Sequence, residues 1–423
     1  MEGGYLMRIL LVTHQFFPEF SGGTERATLQ LARTLLHAGH AVHVLTCRMA
    51  PRLAHWAEDA EIGQAHCYMD EGVEVTAIGR QRLPAGAEWG FDVDASLADE
   101  LMAWLRRKRF HVAHVMHTMR MATAVMAIQK TGLPYLVTLT DFFLACSQIN
   151  LVNVQGTPCQ GPQMGQRCVK DCQVGIWTEP GLLTRYRQAN ALLSAAALRC
   201  VPSHFVQSRA EAAFPQLDFR VIPHGLDLLA MWPRVSSPAD RRKQETLVLA
   251  FAGTLIAQKG VHILLDALAL MPEADVELRV MGGRHGDPAY HRRLDSLIAA
   301  DRRVRLMGEM DQQALFAELS ACDLLCIPSL VPETFSLTFH EAAALGVPAL
   351  VADHGAPAEV VRHSQAGLCV TPGSAADWAQ ALRQVLADRL LLAKWKSRLP
   401  MPARIEEEGF FYESLYRTVA LLE

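Results

Sequence analysis

The 423-residue sequence lacks a strong charge of either sign. Its 40 basic and 44 acidic residues leave a formal net charge of −4 at pH 7, which gives no global attraction to a polyanion such as nucleic acid. Basic charge is local, and its densest run is residues 106–109, "RRKR". We expect this run to be the solvated end of a helix, where cations complement the helix dipole. Contact with a membrane surface is the alternative.

Long hydrophobic runs are also missing. No uninterrupted apolar stretch reaches the roughly 18 residues that a membrane-spanning helix requires. The first residues contain no long apolar core that ends in a small-residue cleavage site. Ten cysteines in a chain of this length do not indicate a secreted disulfide framework. These absences favour a protein of the reducing cytoplasm.

Repetition of one pattern predicts the fold class. Length and an apolar content of 50% allow two or three domains. Residues 7–46 read as strand, helix and strand, with Gly22 and Gly23 at the start of the helix. The pattern begins again at residue 247, where Lys259 and Gly260 precede the helix. We therefore predict an α/β protein with two doubly wound domains, whose ligands bind beyond the carboxyl ends of the strands.

Composition places the domain boundaries. Residues 228–246 are polar and contain proline, so they are predicted to link an N-terminal domain, 1–227, to a C-terminal domain, 247–404. Residues 405–423 have the pattern of an amphipathic helix. Its apolar face is predicted to carry Phe410, Leu415, Val419 and Leu422.

The stretch "PETFSLTFHEAAALGVP", residues 332–348, has a glutamate near each edge of a predicted helix start. Ser336 is a suitable N-cap for a helix from Leu337 to Leu345, whose first-turn amides would attract phosphate. Glu333 and Glu341 could accept hydrogen bonds from sugar hydroxyls on either side of a diphosphate. The spacing fits a nucleotide sugar. In the alternative interpretation, Glu341 only favours the helix dipole and Glu333 is a solvated loop acid.

Several stretches resemble retaining glycosyltransferase family 4, which has the GT-B fold. They are "GGTERATLQLARTLLHAGHAVHVLT", "FAGTLIAQKGVHILLDAL" and the "PETFSLTFHEAAALGVP" stretch, which matches the E-x7-E signature of the family. The resemblance covers nearly the whole chain. It implies two Rossmann-like domains that face a central cleft, an acceptor-side N-terminal domain and a C-terminal domain for the nucleotide-sugar donor. It also implies that the tail helix packs back on the N-terminal domain.

The resemblance implies a role for each matching residue. Glu333 would contact hydroxyls of the donor sugar, and Glu341 would bind the ribose diol. Lys259 would neutralise the diphosphate, a role that chemistry supports because a departing nucleoside diphosphate develops negative charge. Together with Asp141, Glu333 and Lys259 are the predicted catalytic residues. The remaining predicted donor-binding residues lie at the helix starts and in the loops before them: Gly22, Gly23, Thr254, Thr334, Phe335, Ser336 and Leu337.

The chain departs from the family pattern at three positions. Thr254 stands where arginine is common, Thr140 where many members have histidine, and His224 where asparagine is usual. Without a histidine at 140, Asp141 and His117 become the predicted polar groups of the acceptor side, with Thr140 beside them. For each histidine, ordinary packing is the alternative to a role in the site.

Four cysteines fall within 27 residues and predict a structural metal site. They are Cys146, Cys159, Cys168 and Cys172, with the spacing C-x12-C-x8-C-x3-C. Four thiolates suit a tetrahedral zinc ion, although this spacing is not the usual pair of C-x2-C motifs. A branch of the same family resembles this chain in having a cysteine-bearing insert here. Buried free thiols, a redox-labile pair and an iron–sulfur cluster are the alternatives.

These features together predict a retaining hexosyltransferase. It would move a sugar from a nucleoside diphosphate sugar to a glycan or lipid-linked acceptor in the synthesis of cell-surface polysaccharide or glycoconjugate. The family implies front-face displacement, in which the leaving phosphate receives the acceptor proton. No catalytic metal is expected, because Lys259 and helix amides would replace it and no D-x-D motif flanks the site. The protein would be cytoplasmic, with peripheral contact at the inner face of the membrane as an option.

Two other functions fit the same donor site. A sugar-nucleotide epimerase of GT-B architecture would share the donor cleft but need its own acid–base pair. A non-catalytic nucleotide-sugar-binding or scaffold protein is compatible with threonine at positions 140 and 254.

Overall fold

The computed structural model describes residues 6–50, 56–58, 62–231 and 246–420. The chain divides into two compact units: unit 1 comprises Met1–Gly225 and Ile405–Glu423, and unit 2 comprises Leu226–Arg404. Most of the predicted linker, 228–246, lies outside the described residues. Its first residues form the short helix α7, Leu228–Met231.

Unit 1 is built on a nine-stranded sheet with the order β3-β4-β5-β2-β1-β6-β7-β8-β9. The pairs β3–β4 and β4–β5 are antiparallel, and the other pairs are parallel. The strands are β1 Arg8–Val12, β2 Ala41–Arg48, β3 Ala57–Glu58, β4 Ala65–Asp70, β5 Val73–Gly79, β6 Val112–Val115, β7 Tyr135–Thr138, β8 Leu198–Val201 and β9 Arg220–Val221.

Helices cover both faces of this sheet, and the apolar runs of β1 and β6 are buried between them. The helices are α1 Gly23–His37, α2 Ala95–Lys108, α3 Ala122–Thr131, α4 Gln166–Asp171, α5 Glu179–Ala195, α6 His204–Ala213 and, from the end of the chain, α15 Ile405–Ala420. Two short 3-10 helices, Arg80–Arg82 and Ala85–Glu88, follow β5.

The tail helix α15 packs against α1 and the sheet of unit 1. Its buried apolar residues are Tyr412, Leu415, Tyr416 and Val419. Gly409 allows close approach, since a Cβ atom there would lie 2.5 Å from Thr34 of α1. The prediction that Phe410 belongs to the buried face is wrong, because 68% of its surface is exposed. Leu422, which was predicted for the same face, lies outside the described residues.

A buried hydrogen-bond network explains why the buried face of α15 carries Tyr412 and Tyr416 and leaves Phe410 exposed. Nδ1 of His114 lies 2.7 Å from the Tyr416 hydroxyl, and Nε2 lies 2.7 Å from Oγ1 of Thr138. That Thr138 oxygen is also 2.9 Å from the Tyr412 hydroxyl. A buried tyrosine is stable when its hydroxyl finds a partner, and β6 and β7 supply the partners here.

Unit 2 is built on a six-stranded sheet with the order β12-β11-β10-β13-β14-β15, in which every pair is parallel. Its strands are β10 Leu247–Ala252, β11 Val276–Met281, β12 Val304–Gly308, β13 Leu324–Ile327, β14 Ala349–Ala352 and β15 Gly367–Val370. Its other helices are α8 Val261–Ala269, α9 Pro288–Ala299, α10 Gln312–Ser320, α11 Leu337–Ala344, α12 Gly355–Ser364, α13 Ala375–Ala387 and α14 Leu390–Lys396.

The first strand of each unit lies inside its sheet, and the order of the following strands runs outward in opposite directions from its two sides. β1 lies between β2 and β6, and β10 lies between β11 and β13. Such a reversal of strand order leaves a crevice at the carboxyl ends, where doubly wound sheets bind ligands. The predicted α/β class with two Rossmann-like units is confirmed.

In the described ranges, no helix has both the length and the apolarity needed to cross a bilayer.

Candidate functional site

In unit 2, Lys259 and Glu333 form an ion pair beyond the carboxyl ends of β10 and β13. Nζ of Lys259 lies 2.7 Å from Oε1 of Glu333, and the Ser329 hydroxyl donates to the same oxygen at 2.5 Å. Burial raises the pKa of Glu333, but the Lys259 charge and the two hydrogen bonds outweigh burial and hold the pKa below its usual value. Glu333 is therefore a carboxylate at neutral pH and accepts hydrogen bonds.

Two glycines allow direct contact between the loops around Lys259 and Glu333. A Cβ atom at Gly260, which has φ of 73°, would lie 2.1 Å from the carbonyl oxygen of Pro328. A Cβ atom at Gly355, which has φ of 77°, would lie 2.6 Å from the backbone nitrogen of Glu333. Glycine alone accepts both the left-handed backbone and the close approach. These two positions hold Lys259 and Glu333 in place.

Backbone hydrogen bonds strengthen the same contact. The N–H of Leu330 donates to the carbonyl of Gln258 at 2.8 Å, and the N–H of Ala356 donates to the carbonyl of Glu333 at 2.8 Å. His354, just before α12, has Nε2 2.8 Å from the carbonyl of Ser329. Sequence reasoning missed both Ser329 and His354. The available signal was a hydroxyl residue, Ser329, four positions before Glu333 in the same loop.

The start of α11 differs from its prediction in one respect. Ser336 does precede the helix, but its side chain makes no capping hydrogen bond and its backbone is left-handed, with φ of 69°. A capping serine normally has extended backbone, which turns its hydroxyl toward the amides of the first turn. The helix ends at Ala344, one residue earlier than predicted, and Leu345 is its C-cap.

The other predicted donor residues lie in or beside this loop. Glu341 is on α11 with 1% of its surface exposed. Glu333 is not a solvated loop acid, because its side chain is 14% exposed and paired with Lys259. Phe335 is buried, and its ring stacks on that of His340 with centroids 4.1 Å apart. Thr334 is half-buried, and Leu337 is the buried first residue of α11. Thr254 is half-buried in the loop that leads from β10 to Lys259.

In unit 1, His117 and Asp141 come together beyond the carboxyl ends of β6 and β7. Nε2 of His117 lies 2.8 Å from Oδ2 of Asp141. The N–H of Met119 donates to Nδ1 of His117 at 3.1 Å. Because Nδ1 accepts a hydrogen bond, Nε2 carries the proton and donates to Asp141. The His117 side chain is 3% exposed and that of Asp141 33%, so the histidine orients a carboxylate that solvent can reach.

Sequence reasoning missed two buried residues beside this pair, His14 and Glu25. The His14 and His117 rings lie 3.9 Å apart between centroids, and Nε2 of His14 is 3.8 Å from Oε1 of Glu25. Burial lowers the pKa of His14 well below its usual value and raises the pKa of Glu25. The available signal was the acid three residues after Gly22, at the start of α1.

The glycine pair has two different environments. A Cβ atom at Gly22 would lie 2.5 Å from Oε2 of Glu25, so this glycine leaves room for the carboxylate. A Cβ atom at Gly23 would contact nothing within 4 Å. Gly23 is the first residue of α1, whose N-terminus therefore begins at the pair.

Thr140 and His224 have structural contacts. The Thr24 hydroxyl donates to Oγ1 of Thr140 at 3.1 Å, and Thr140 donates to the carbonyl of Met116 at 3.1 Å. Nδ1 of His224 lies 3.1 Å from Oε1 of Glu408 on α15. His224 is 5% exposed. These contacts favour the packing interpretation for His224 and give Thr140 the task of joining the start of α1 to the end of β6.

The four clustered cysteines lie around one small cavity of about 10 Å³. All four are free thiols, and Cys146 and Cys172 are buried. Across the described part of the chain, no three His, Cys, Asp or Glu side chains form a group that could hold a metal ion as they stand. The structure thus places the four residues together without a preformed ligand set.

Family comparisons cover most of the chain. Residues 21–228 match the family described as "Glycosyltransferase Family 4", and residues 246–388 match "Glycosyl transferases group 1". The chain is 32% identical over 181 residues to the D-inositol 3-phosphate glycosyltransferase of Corynebacterium aurimucosum, which is 40% of this chain and 43% of that protein. It therefore spans less than half the length of this relative. Glycogen synthase of Mycobacterium tuberculosis is 26% identical over 392 residues, with 90% of this chain and 86% of that protein covered.

Solved structures share the fold at low sequence identity. HepE of Anabaena, crystallised with UDP and glucose, has a TM-score of 0.70 and 20% identity over 97% of this chain and all of that chain. Sucrose-phosphate synthase of Thermosynechococcus elongatus has a TM-score of 0.70 and 20% identity, with 99% and 100% of the two chains covered.

Proposed function

Because this chain belongs to glycosyltransferase family 4, we propose that it transfers a sugar, with retention of configuration, from a nucleoside diphosphate sugar. The acceptor is a glycan or a lipid-linked sugar, and the product belongs to cell-surface polysaccharide or glycoconjugate. The observation that carries the proposal is the 2.7 Å contact between Lys259 and Glu333, in two loops beyond the carboxyl ends of the unit 2 strands.

In the proposed donor complex, the residues of this contact take separate tasks. Lys259 binds the diphosphate and offsets the negative charge that develops as it leaves. Glu333 stays ionised, because its pKa is below the usual value, and accepts hydrogen bonds from the sugar hydroxyls. The amides at Ser336 and Leu337 bind phosphate oxygens, since the serine hydroxyl does not cap them. Glu341 accepts from the ribose diol.

Retention is proposed to proceed by front-face displacement. The bond between the anomeric carbon and the diphosphate oxygen breaks as the acceptor oxygen approaches from the same face. A leaving phosphate oxygen receives the acceptor proton, so no enzymic base is needed. Asp141, oriented by His117, binds a hydroxyl of the acceptor. We propose the amides of Gly22 and Gly23 as further diphosphate donors, and no catalytic metal takes part.

Donor binding and turnover test this function together. We expect calorimetry with a panel of UDP-, GDP- and ADP-sugars to identify one donor, and the purified chain to release its nucleoside diphosphate when a glycan acceptor is added. Glu333→Gln should bind that nucleoside diphosphate but lose at least about 100-fold in turnover. Glu273→Gln is the matched control, because Glu273 is an exposed acid of the same unit.

The same assays distinguish the two other functions. Isomerisation of the donor with no transfer to any acceptor would favour a sugar-nucleotide epimerase. Donor binding without turnover in the unmodified protein would favour a nucleotide-sugar-binding or scaffold protein.

We also propose that the enzyme works in the cytoplasm, in peripheral contact with the inner face of the membrane. Arg106 and Arg109, at the end of α2, line a cavity of about 540 Å³ together with apolar residues such as Leu105 and Phe110. Basic side chains beside an apolar surface suit anionic lipid headgroups and their chains. Arg106→Glu should weaken sedimentation with vesicles containing phosphatidylserine by about tenfold, and the exposed Arg187→Glu should not. Equal binding to neutral vesicles would contradict the proposal.

A further inference from the structure

The segment between β7 and α5 places four thiols around one small cavity. Cys146, Cys159, Cys168 and Cys172 line a single cavity of about 10 Å³, which is room for roughly one water-sized sphere. Cys168 and Cys172 are one turn apart, on α4 and at its end, and the other two come from the loops before it. A space of this size bordered by four thiols could take an ion with Zn–S bonds of about 2.3 Å once the sulfurs move inward.

Backbone N–H groups lie close to three of the four sulfurs. Those of Gln148 and Leu151 interact with Cys146, and that of Val154 interacts with Cys172. The N–H of Gly161 donates to Sγ of Cys159 at 3.4 Å. Hydrogen bonds from backbone amides stabilise thiolate sulfur and fix its orientation in metal sites.

The buried positive charge of Arg185, near the thiols, also favours a bound metal ion. Arg185 is 5% exposed. It donates to the carbonyl of Trp89 at 2.9 Å and to that of Phe143. Its guanidinium also lies over the rings of Phe143, at 4.7 Å, and Phe91, at 5.4 Å. Within the described ranges, no carboxylate forms an ion pair with it.

Arg185 interacts electrostatically with Cys146, Cys168 and the carboxylate of Asp141. Asp141 forms no direct ion pair with it, so further negative charge beside the thiols would stabilise the buried guanidinium. Zn²⁺ with four thiolates carries a net double negative charge and would add that charge.

We propose that Cys146, Cys159, Cys168 and Cys172 together bind one Zn²⁺ ion in a closed, structural tetrathiolate site. The thiols do not yet form a ligand set, so the ion draws the four sulfurs inward. The connecting loops are not closely packed at Gly156 and Gly161, where a Cβ atom would meet nothing within 4 Å, so the chain has room to adjust there. Four protein ligands leave no open position, which assigns the ion to structure and not to catalysis.

The proposed ion would stabilise the loop that carries Asp141. Asp141 lies five residues before Cys146, and its Oδ1 accepts from the N–H of Phe143 at 2.8 Å. Phe143 is in turn tied to Arg185 through its carbonyl. Occupation of the site would therefore fix the segment that joins the metal ligands to the acceptor-side carboxylate.

Metal content is the direct test. The full-length protein, purified without chelator or added metal, should contain one zinc per chain by mass spectrometry of metals. Cys168→Ser should lose most of that zinc. Cys326→Ser should keep it, because Cys326 is a buried thiol of β13 in unit 2. These measurements do not depend on activity, so they can fail while the proposed transfer reaction stands, and the reverse also holds.

A second measurement avoids variants that could misfold. Alkylation of the unmodified protein, followed by peptide mass spectrometry, should find these four thiols protected until a chelator is added, and reactive afterwards. Cobalt in place of zinc should give the intense thiolate-to-metal absorption of a tetrahedral site. Zinc far below one per chain after reconstitution, or equal alkylation with and without chelator, would overturn the proposal. Bound iron with acid-labile sulfide would overturn it as well.

Discussion

Nζ of Lys259 lies 2.7 Å from Oε1 of Glu333, and the two residues come from loops that are 74 positions apart in the chain. Each group offsets the charge of the other in the absence of ligand. A bound diphosphate would compete with Glu333 for the ammonium, while sugar hydroxyls would compete with Lys259 for the carboxylate. The ion pair therefore keeps both groups charged and oriented until the proposed donor replaces it, which limits reorganisation on binding.

This relationship predicts opposite effects of two substitutions on nucleoside diphosphate binding. Lys259→Ala removes the cation, so the Kd for the diphosphate should rise about tenfold or more. Glu333→Gln removes the competing anion and frees Lys259, so the Kd should stay unchanged or fall. Calorimetry with the nucleoside diphosphate product measures both values.

Lys259→Arg and Glu273→Gln are the controls for this comparison. Arginine keeps the charge and should recover part of the affinity that alanine loses. If Glu333→Gln raised the Kd for the nucleoside diphosphate by the same factor as Lys259→Ala, the ion pair would have only a structural role.

Much of the fold could be predicted because buried parallel strands leave a strong pattern in the sequence. The apolar runs of β1 and β10, each followed by a glycine-bearing loop and a helix, were enough to indicate two doubly wound units. The tail helix shows where such patterns fail. Its buried tyrosines have partners in β6 and β7, about 300 residues away, and polar partners at that distance have no local signal.

The candidate site was predictable to a similar degree. The spacing of Glu333 and Glu341 and the position of Lys259 were visible in the sequence. The left-handed backbone of Ser336 was not, because a serine just before a helix normally has extended backbone and caps the first turn. His14 and Glu25 were also missed, since their proximity to His117 arises where the ends of strands β1 and β6 meet the start of helix α1.

Gly260 and Gly346 provide a matched pair for testing the loop contact. Both have φ of 73°, but only at Gly260 would a Cβ atom collide with backbone, 2.1 Å from the oxygen of Pro328. Gly346→Ala should cost about 1 kcal/mol for backbone strain alone. Gly260→Ala should cost about 3 kcal/mol or more and lower turnover, because the Lys259 loop must move. Thermal unfolding and donor turnover of both variants check this, and equal losses would contradict the proposed contact.

Asp141→Asn should separate acceptor use from donor binding. The change keeps the shape of the side chain but removes the charge that would accept a hydrogen bond from the acceptor. We expect kcat/KM for the acceptor to fall by about 10- to 100-fold and the Kd for the nucleoside diphosphate to stay constant. Asp99→Asn is the control, since Asp99 is an exposed acid on α2. An equal loss of nucleotide affinity would place Asp141 outside the acceptor side.

His114 predicts how stability changes with pH. Burial lowers the pKa of His114 to about 3 from its model-peptide value of 6.5, so the folded state keeps it neutral while the unfolded state takes up a proton below pH 6.5. Stability is therefore complete above pH 6.5 and falls as the pH decreases from 6.5 toward 3, by up to about 1.4 kcal/mol per pH unit. Burial lowers the pKa of His14 as well, which adds to the slope.

The variant His114→Asn separates this effect from the general acid sensitivity of the protein. It should be less stable than the unmodified protein at pH 7, because Tyr416 and Thr138 lose their common partner. It should also lose less stability than the unmodified protein between pH 6.5 and 4.5, by up to about 2.7 kcal/mol, because one protonation is gone. Urea unfolding at a series of pH values measures both quantities, with the exposed His37→Asn as control. If the free energy of unfolding changed equally with pH in the unmodified protein and in His114→Asn, unfolding would not add a proton to His114. That result would contradict the lowered pKa of the buried histidine.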